Sequence, residues 1–323
     1  MRRLFLTCGV VSLLGLAACG SATESDADAD ADAASASTGD AMDTATDSMA
    51  SSEMAEIADT PADPAMGSLE WAIASERRRE GAARDDARNP QETLEFFEID
   101  PSGVIVEIWP GSGWYSEILA PWIAANNGRF VGATFPADST SESRRMSRER
   151  YETQFSSDPV YGSVEVSAFN VDSGDIVTPG SADAVLSFRN IHNWMDAGFV
   201  EKAFDDFYRA LAPGGVLGIV EHRLPDTREQ DPMAGSGYVQ QAYVIALAEE
   251  AGFELVGTSE VNANPLDTAD HPFGVWTLPP SLRGSAYGTD DDPDFDHTPY
   301  EAIGESDRMT LLFRKPVETP VTE

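Results

Sequence analysis

The segment that most constrains the fold is VIVEIWPGSGWY at residues 104–115. Val104–Ile108 is an apolar run interrupted only by Glu107, which is typical of a central parallel strand covered on both faces. The Gly-x-Gly turn at Gly111 and Gly113 lets bare backbone approach a ligand, and the predicted helix that follows offers free N–H groups. This order predicts a cofactor pocket at the carboxyl edge of a parallel sheet. The simpler alternative is a tight strand-to-helix turn with no ligand.

Apolar periodicity continues this pattern along the chain and alternates strands with helices. Such alternation predicts an α/β fold, with a mostly parallel sheet and helices on both faces. We place this domain at residues 68–316, followed by a tail at 317–323. The predicted strands are 104–108, 128–134, 164–169, 181–187, 216–221, 253–261 and 308–314, and the predicted helices are 69–88, 91–99, 114–125, 139–153, 199–211 and 238–251.

The first 18 residues have the pattern of a signal peptide. A basic start is followed by an apolar stretch at residues 4–18 that is too short to span a bilayer stably. Small residues then precede Cys19, and this arrangement resembles the lipobox of bacterial lipoproteins. The resemblance implies lipidation of Cys19, export to the periplasm or cell envelope, and membrane attachment through the lipid. An ordinary signal peptide with an incidental cysteine is the alternative.

Residues 19–67 are predicted to be a disordered linker. The stretch 20–66 is rich in Ala, Ser, Thr and Asp and contains 12 acidic residues but no Lys or Arg. It cannot bury enough apolar surface to offset its chain entropy. The whole chain carries a net charge of −35, which disfavours nucleic-acid partners. The only other cysteine is Cys8, so cysteine chemistry is excluded in the processed chain.

Residues 94–315 resemble class I S-adenosylmethionine-dependent methyltransferases. The resemblance lies in the acidic residue and glycine turn after the first strand, in the ALAPGG segment at 210–215 and in the C-terminal pair of strands. Together, the segments 104–115 and 188–194 look like a branch of exported predicted methyltransferases. The resemblance implies a Rossmann-like seven-stranded sheet and S-adenosylmethionine as the cofactor. Trp109 departs from the pattern, because it replaces the first glycine of the turn.

The resemblance also implies where the cofactor lies. Glu107 is expected to contact its ammonium group, and the end of the second strand its ribose. Thr134 stands there instead of the family's carboxylate, so either the ribose is held from elsewhere or the affinity is low. We expect Asp172 to face the adenine, although a turn residue is the close alternative. The candidate cofactor-binding residues are Glu107, Trp109, Gly111, Gly113, Trp114, Tyr115, Thr134, Asp172, Arg189 and Asn190.

Polar residues that follow the fourth and fifth strands are the candidates for catalysis. His192 can accept a proton from the nucleophile, and His222 lies beside Glu221 and Arg223, which can simply pair with each other. The candidate substrate-pocket residues are Asn193, Trp194 and Tyr238, and residues 270–276 form an expected lid. The acidic run at residues 290–296, followed by His297, is compatible with a calcium site, but it is more typical of an acidic surface loop, so no metal ligand is predicted.

These patterns predict a methyltransferase acting on a small-molecule acceptor. A nicotinamide dehydrogenase ranks lower, because Ser116 stands in place of the third glycine and Thr134 in place of the ribose acid. The serious alternative is a surface lipoprotein that uses a degenerate methyltransferase fold only to bind a ligand. The sequence gives no oligomeric state.

Overall fold

The computed structural model describes residues 63–317. The predicted signal peptide, Cys19 and nearly all of the predicted linker therefore lie outside the described residues, as does the tail from residue 318. The boundaries of the linker, domain and tail stay predictions. Between residues 63 and 317, no helix combines the length and the apolar character needed to cross a membrane.

Helices and strands alternate through most of the described chain. The helices are α1 (Leu69–Ile73), α2 (Arg79–Ala82), α3 (Asp85–Arg88), α4 (Pro90–Phe96), α5 (Ser116–Ala125), α6 (Glu142–Ser156), α7 (Ile191–Asp196), α8 (Val200–Ala210), α9 (Gln241–Glu250) and α10 (Thr298–Ile303). The strands are β1 (Val104–Ile108), β2 (Arg129–Thr134), β3 (Glu165–Ala168), β4 (Ala182–Phe188), β5 (Leu211–Leu224), β6 (Val239–Gln240), β7 (Glu254–Ser259) and β8 (Arg308–Arg314).

Seven strands form the main path of the sheet in the order β3-β2-β1-β4-β5-β8-β7. The five strands from β3 to β5 run parallel, whereas β8 is antiparallel to both β5 and β7. The two-residue strand β6 pairs only with the far end of β5. The chain order turns back between β1 and β4, where an open parallel sheet leaves a crevice. The predicted Rossmann-like sheet with a C-terminal strand pair is confirmed.

Helices cover both faces of the sheet, as predicted. Because successive strand residues point to opposite faces, Ile105 packs with α1, α4, α5 and α6, whereas Val106 packs with α8 and α9. The near-continuous apolar sequence of β1 follows from this burial on both sides.

The prediction of one helix at residues 69–88 is wrong. The segment is divided into α1, a 3-10 turn at Glu76–Arg78, α2 and α3. Within this segment Arg78 is almost fully buried and pairs with Asp85 at 2.7 Å. Arg77 instead pairs with Asp158 at 2.8 Å.

Several element ends differ from the prediction. The helix expected to begin at Trp114 begins at Ser116, and the helix expected from Tyr238 begins at Gln241. Strand β5, predicted at residues 216–221, starts at Leu211, where the preceding helix was predicted to end, and continues to Leu224. Helix α7 was not predicted; it has only six residues, although Ile191, Trp194 and Met195 form a short buried stripe.

Candidate functional site

A crevice lies over the carboxyl ends of β1, β4 and β5. Turns after these strands form its floor, α3 and the segment before β8 form one wall, and residues 275–281 form another. Its empty space is about 850 Å³ including the open mouth, but the cavity volume is only about 70 Å³. On that measure one water needs about 10–15 Å³, so the enclosed part holds only a handful of waters or a small polar group. The crevice is lined by Arg84, Arg88, Glu107, Trp109, Pro110, Gly111, Ser112, Trp114, Tyr115, Phe188, Arg189, Asn190, His192, Asn193, His222, Val275, Trp276, Pro279, Pro280, Ser281, Glu305 and Ser306.

Glu107 lies beneath the turn after β1 and is almost fully buried. Its Oε2 accepts a hydrogen bond from Ser116 Oγ at 2.6 Å, and that hydroxyl is 2.9 Å from the hydroxyl of Tyr151. Burial raises the pKa of Glu107 to about 8, against the smaller effects of the Ser116 hydrogen bond and the charge of Arg189. Glu107 is therefore mostly protonated at neutral pH, and a cation in the crevice would favour its ionised form.

Trp109 adopts a backbone conformation that favours glycine, with φ of +44°. Its indole points between the residues that follow β2 and β3. The Nε1–H donates to the carbonyl of Phe169 at 2.9 Å, and the indole lies 4.8 Å from the ring of Phe135, centroid to centroid. The resemblance implies the adenosine of the cofactor in this same region, so the indole and an adenosine compete for one space.

The turn after β4 is fastened to the turn after β1. The side-chain amide of Asn190 approaches the carbonyls of Ile108, Trp109 and Phe188 at 3.1–3.2 Å. Asn190 therefore holds the two turns together, and because it also lines the crevice, its role as a cofactor contact stays a prediction. Arg189 next to it has φ of +62°, a second strained residue at the same edge of the sheet.

Two histidines and one carboxylate meet beyond the ends of β4 and β5. Glu221 is fully buried; its Oε1 lies 3.0 Å from His192 Nδ1, and its Oε2 accepts the N–H of Ile191 at 2.5 Å. His222 Nδ1 lies 2.6 Å from Ser306 Oγ. The two imidazole rings are 5.4 Å apart, centroid to centroid. The predicted catalytic pair is therefore brought together in the crevice.

The alternative pairing of Glu221 with Arg223 is wrong. Arg223 binds Asp307 and Glu260 instead, at 2.8 and 2.7 Å. In the tautomer of His192 that carries its proton on Nδ1, the Nδ1–H donates a hydrogen bond to Glu221. Nε2 is then the basic nitrogen of the ring. Glu221 is thus a positioning residue for His192.

His192, Glu221 and His222 form a group whose ligand atoms lie within 4.8 Å of one another, close enough to approach one metal ion. Burial, followed by the charges of His192, Arg189, Arg308 and Arg88, holds the pKa of His222 well below its ordinary value. His222 is therefore neutral at physiological pH.

Four guanidinium groups surround the carboxylate of Glu305. Nitrogen–oxygen distances to that carboxylate are 2.7 Å from Arg84, 3.3 Å from Arg88, 3.1 Å from Arg308 and 3.9 Å from Arg189. Burial alone would raise the pKa of Glu305, but these arginines hold it at about 2. Glu305 is therefore ionised throughout the physiological range.

Trp114 positions the arginine wall of the crevice. Its Nε1–H donates to the carbonyl of Gly81 at 2.8 Å, and the guanidinium groups of Arg78 and Arg88 lie 5.0 and 4.7 Å from the centre of its ring. Tyr115 stacks on Phe188 with 3.5 Å between ring centroids. These two aromatic residues fix the N-terminal helices against the sheet.

Five predicted site residues are not among those lining the crevice. A Cβ on Gly113 would lie 2.5 Å from the ring of Phe155, so this glycine faces packed side chains. Thr134 is buried at the end of β2, and Asp172 is exposed in a turn anchored by Asn170. Trp194 is fully buried in the core, and the hydroxyl of Tyr238 donates to Asp267 at 3.0 Å.

The predicted lid is only partly present at the crevice. Trp276 lines it and lies 5.9 Å from the ring of His192, whereas His271 points to Asp267 at 2.8 Å and Phe273 packs on Phe295. The helix-breaking pair Pro279 and Pro280 completes this wall.

Sequence reasoning missed Glu221 as a partner of His192, and it missed the wall formed by Arg84, Arg88 and Glu305. The position of Glu221 at the end of a central strand was the available signal. The wall had no such signal, because residues more than 200 positions apart in sequence meet there.

No family model and no curated protein matches the chain. Solved structures that match include S-adenosylmethionine-dependent methyltransferases. One from Aquifex aeolicus is 16% identical, with 58% of this chain and 90% of that chain covered and a TM-score of 0.44. One from Methanosarcina mazei is 15% identical, with 70% and 97% covered and a TM-score of 0.43. The cyclase SpnF is 16% identical, with 72% and 81% covered and a TM-score of 0.44. Structural similarity of this degree gives no information about the reaction that the chain catalyses or whether it catalyses one.

Proposed function

We propose that this chain is a methyltransferase that uses S-adenosylmethionine to methylate a small-molecule acceptor. The observation that supports this most is Glu107, which ends β1 beside a glycine turn and faces a crevice at the point where the strand order reverses. The same crevice holds an imidazole, His192, whose orientation is fixed by Glu221. No nucleic-acid partner is proposed, given the net charge of −35.

The residues present fit one end of the cofactor. Glu107 can receive the ammonium group, and the guanidinium groups of Arg88 and Arg189 are suited to a carboxylate. The nucleoside end does not fit the structure as it stands, because the Trp109 indole and Phe135 fill the space beyond β2 and β3. Neither crevice carboxyl group, Glu107 or Glu305, follows β2, where the ribose is expected.

His192 is proposed as the base that removes a proton from the acceptor. When bound, the cofactor supplies a methyl group already activated on a sulfonium, so the protein mainly positions the acceptor and excludes water. The Nδ1 side of His192 is held by Glu221, and Nε2 takes the acceptor's proton. Trp276 beside His192 shields this proton from solvent.

A second candidate function is non-catalytic binding of a small ligand by a surface protein. Trp109 favours it, because an indole fixed by a hydrogen bond to Phe169 occupies the expected adenosine space.

Calorimetric titration with S-adenosylhomocysteine separates the two candidates. If the protein is a methyltransferase, the wild type should bind S-adenosylhomocysteine with a micromolar to millimolar dissociation constant, and the Trp109 indole should move aside. If the protein is a non-catalytic binding protein, the wild type should give no heat with S-adenosylhomocysteine. Trp109→Gly, which lacks the indole, should then gain binding of this ligand. Trp71→Gly, a partly exposed tryptophan in α1, controls for the loss of an aromatic side chain.

We further propose that the chain is an exported lipoprotein of the periplasm or cell envelope, anchored through Cys19. The support is the basic start, the apolar residues 4–18 and the small residues before the cysteine. Mass spectrometry of the membrane fraction is expected to find a lipid-modified N-terminal Cys19 peptide. In Cys19→Ala the mature protein should leave the membrane fraction. An unmodified Cys19 in a fully processed wild type would contradict the proposal.

A further inference from the structure

An open groove adjoins the crevice on the side of its Trp276 wall. The volume of the groove is about 340 Å³, whereas that of the crevice is about 70 Å³. Trp276 and Ser281 line both spaces, so the groove continues from the crevice. A ligand that is too large for the crevice alone therefore has room to extend past Trp276.

The wall of this groove presents a guanidinium group beside two aromatic rings. The guanidinium carbon of Arg283 lies 5.2 Å from the centre of the Trp276 ring and 5.2 Å from the centre of the Tyr287 ring. These two cation–π contacts fix the position of the guanidinium. Tyr287 is 56% exposed, so its ring also offers apolar surface to a ligand.

The N–H groups of the Arg283 side chain point to no acceptor within the protein. Among residues 63–317, this side chain forms no ion pair and donates no hydrogen bond, while its backbone N–H donates to the carbonyl of Trp276 at 2.8 Å. Contacts with ring faces leave the in-plane N–H groups of a guanidinium available, and these match the two oxygens of a carboxylate. A single guanidinium balances the charge of one carboxylate, whereas a phosphate group carries up to two negative charges.

Trp276 also lies next to the proposed base of the reaction. Its ring is 5.9 Å from the imidazole of His192, and the guanidinium carbon of Arg283 is 5.2 Å from the same side chain. A flat ring that packs beside Trp276 therefore comes close to both polar groups. Aromatic rings pack favourably against an indole, in stacked or edge-on arrangements.

We propose that the acceptor is an aromatic acid, with its hydroxyl at His192, its ring beside Trp276 and its carboxylate on Arg283. The acceptor oxygen forms a bond to the transferred methyl carbon as the sulfonium–carbon bond breaks, and its proton passes to His192 Nε2. Arg88 and Arg189 remain with the carboxylate of the cofactor. This inference rests on the proposed function, because it names the substrate class of the same site.

Calorimetric titration of the purified protein with 4-hydroxybenzoate tests the proposal. 4-Hydroxybenzamide has nearly the same shape without the charge, and trans-4-hydroxycyclohexanecarboxylate keeps the charge but lacks a flat ring. The variants are Arg283→Gln and, as a matched control, Arg77→Gln. The exposed Arg77 pairs with Asp158 at 2.8 Å and lines neither the crevice nor the groove. Circular dichroism checks that both variants are folded.

We expect saturable binding of 4-hydroxybenzoate by the wild type, with each of the two control ligands at least several-fold weaker. Arg283→Gln should bind the acid about tenfold more weakly, as expected for the loss of charge-assisted hydrogen bonds. Arg77→Gln should bind it as the wild type does. No binding by the wild type, equal affinity of wild type and Arg283→Gln, or equal affinity for the acid and either control ligand would overturn the proposal.

Methyl transfer is measured separately, by incubating 4-hydroxybenzoate with S-adenosylmethionine and detecting 4-methoxybenzoate by mass spectrometry. A KM for the acid that rises about tenfold in Arg283→Gln, with kcat nearly unchanged, supports the assignment of Arg283 to the acceptor. If the acid binds through Arg283 but no product forms, the proposed reaction fails and the aromatic-acid site stands. If product forms with the same KM in both proteins, the methyltransferase stands and the inference is overturned.

Discussion

At the scale of single residues, Trp109 departs most from what its position normally requires. A residue other than glycine at φ of +44° carries a backbone cost of about 1–3 kcal/mol. The indole recovers part of this cost, because it packs against Phe135 and Phe169 and satisfies its N–H on the Phe169 carbonyl. Strain of this kind persists only where the surroundings hold it, so the Trp109 conformation is a built feature of the site.

Glu107 gives a pH-dependent prediction at the same scale. Its folded pKa of about 8 lies above the ordinary value of 4.5, so the folded state holds a proton that the unfolded state has lost. The contribution to stability is present below pH 4.5 and is lost as the pH rises through 8. The side chain in Glu107→Gln cannot ionise, so the variant lacks this pH dependence. A pH-dependent difference in the free energy of unfolding between wild type and variant therefore reports the titration of Glu107.

Chemical denaturation of both proteins between pH 6 and 9 measures the effect. The stability of wild type relative to Glu107→Gln should fall by up to about 1.4 kcal/mol per pH unit until pH 8 and then level off. Differences from other titrating groups cancel in the comparison. Parallel stability curves for the two proteins would show that Glu107 ionises normally.

Residue types predicted the site less well than residue positions did. Glu107, Arg189, Asn190, His192 and His222 were found because they follow central parallel strands, where the sheet edge collects ligand-binding groups. Side-chain direction was not available from the sequence. The local pattern therefore could not show that Trp194 turns into the core while Asn193, its neighbour, lines the crevice.

At the scale of secondary-structure elements, the strands were predictable and the ends of helices were not. The apolar runs of β1 and β8 match their predicted bounds, because burial on both faces leaves a strong signal. Helix α7 begins where Glu221 of β5 accepts the N–H of Ile191, a cap supplied from another strand. A cap from 30 residues away in the chain leaves no local signature.

The turn between β1 and α5 gives a prediction for Gly113. Its φ is +90°, and an added Cβ would lie 2.5 Å from the ring of Phe155. Gly113→Ala should therefore lower the free energy of unfolding by about 2–4 kcal/mol, through backbone strain plus steric overlap. Urea denaturation gives the value directly.

Gly198→Ala is the matched control for this substitution. Gly198 also has a positive φ, +69°, but an added Cβ would meet nothing within 4 Å. It should cost only the backbone strain, about 1 kcal/mol. Equal losses in the two variants would show that the contact with Phe155 is unimportant.

At the scale of the whole molecule, a strongly acidic chain forms a crevice with arginines along one wall. The fold class followed from the sequence because the alternation of strands and helices leaves few ways to build a sheet. The arginine wall did not follow, since Arg84 and Glu305 are 221 positions apart and meet only in the folded protein. The site residues that follow the parallel strands were thus predictable. The residues contributed by the two ends of the domain were not.

The proposed reaction depends on whether the nucleoside of S-adenosylmethionine can enter beside Trp109. The most direct measurement is calorimetric titration of the purified wild type with S-adenosylhomocysteine, followed by a structure of the complex. We predict saturable binding, with the amino-acid end of the ligand against Glu107 and the Trp109 indole displaced from Phe169. No binding by the wild type, together with binding by Trp109→Gly, would contradict methyl transfer and identify the chain as a ligand-binding protein.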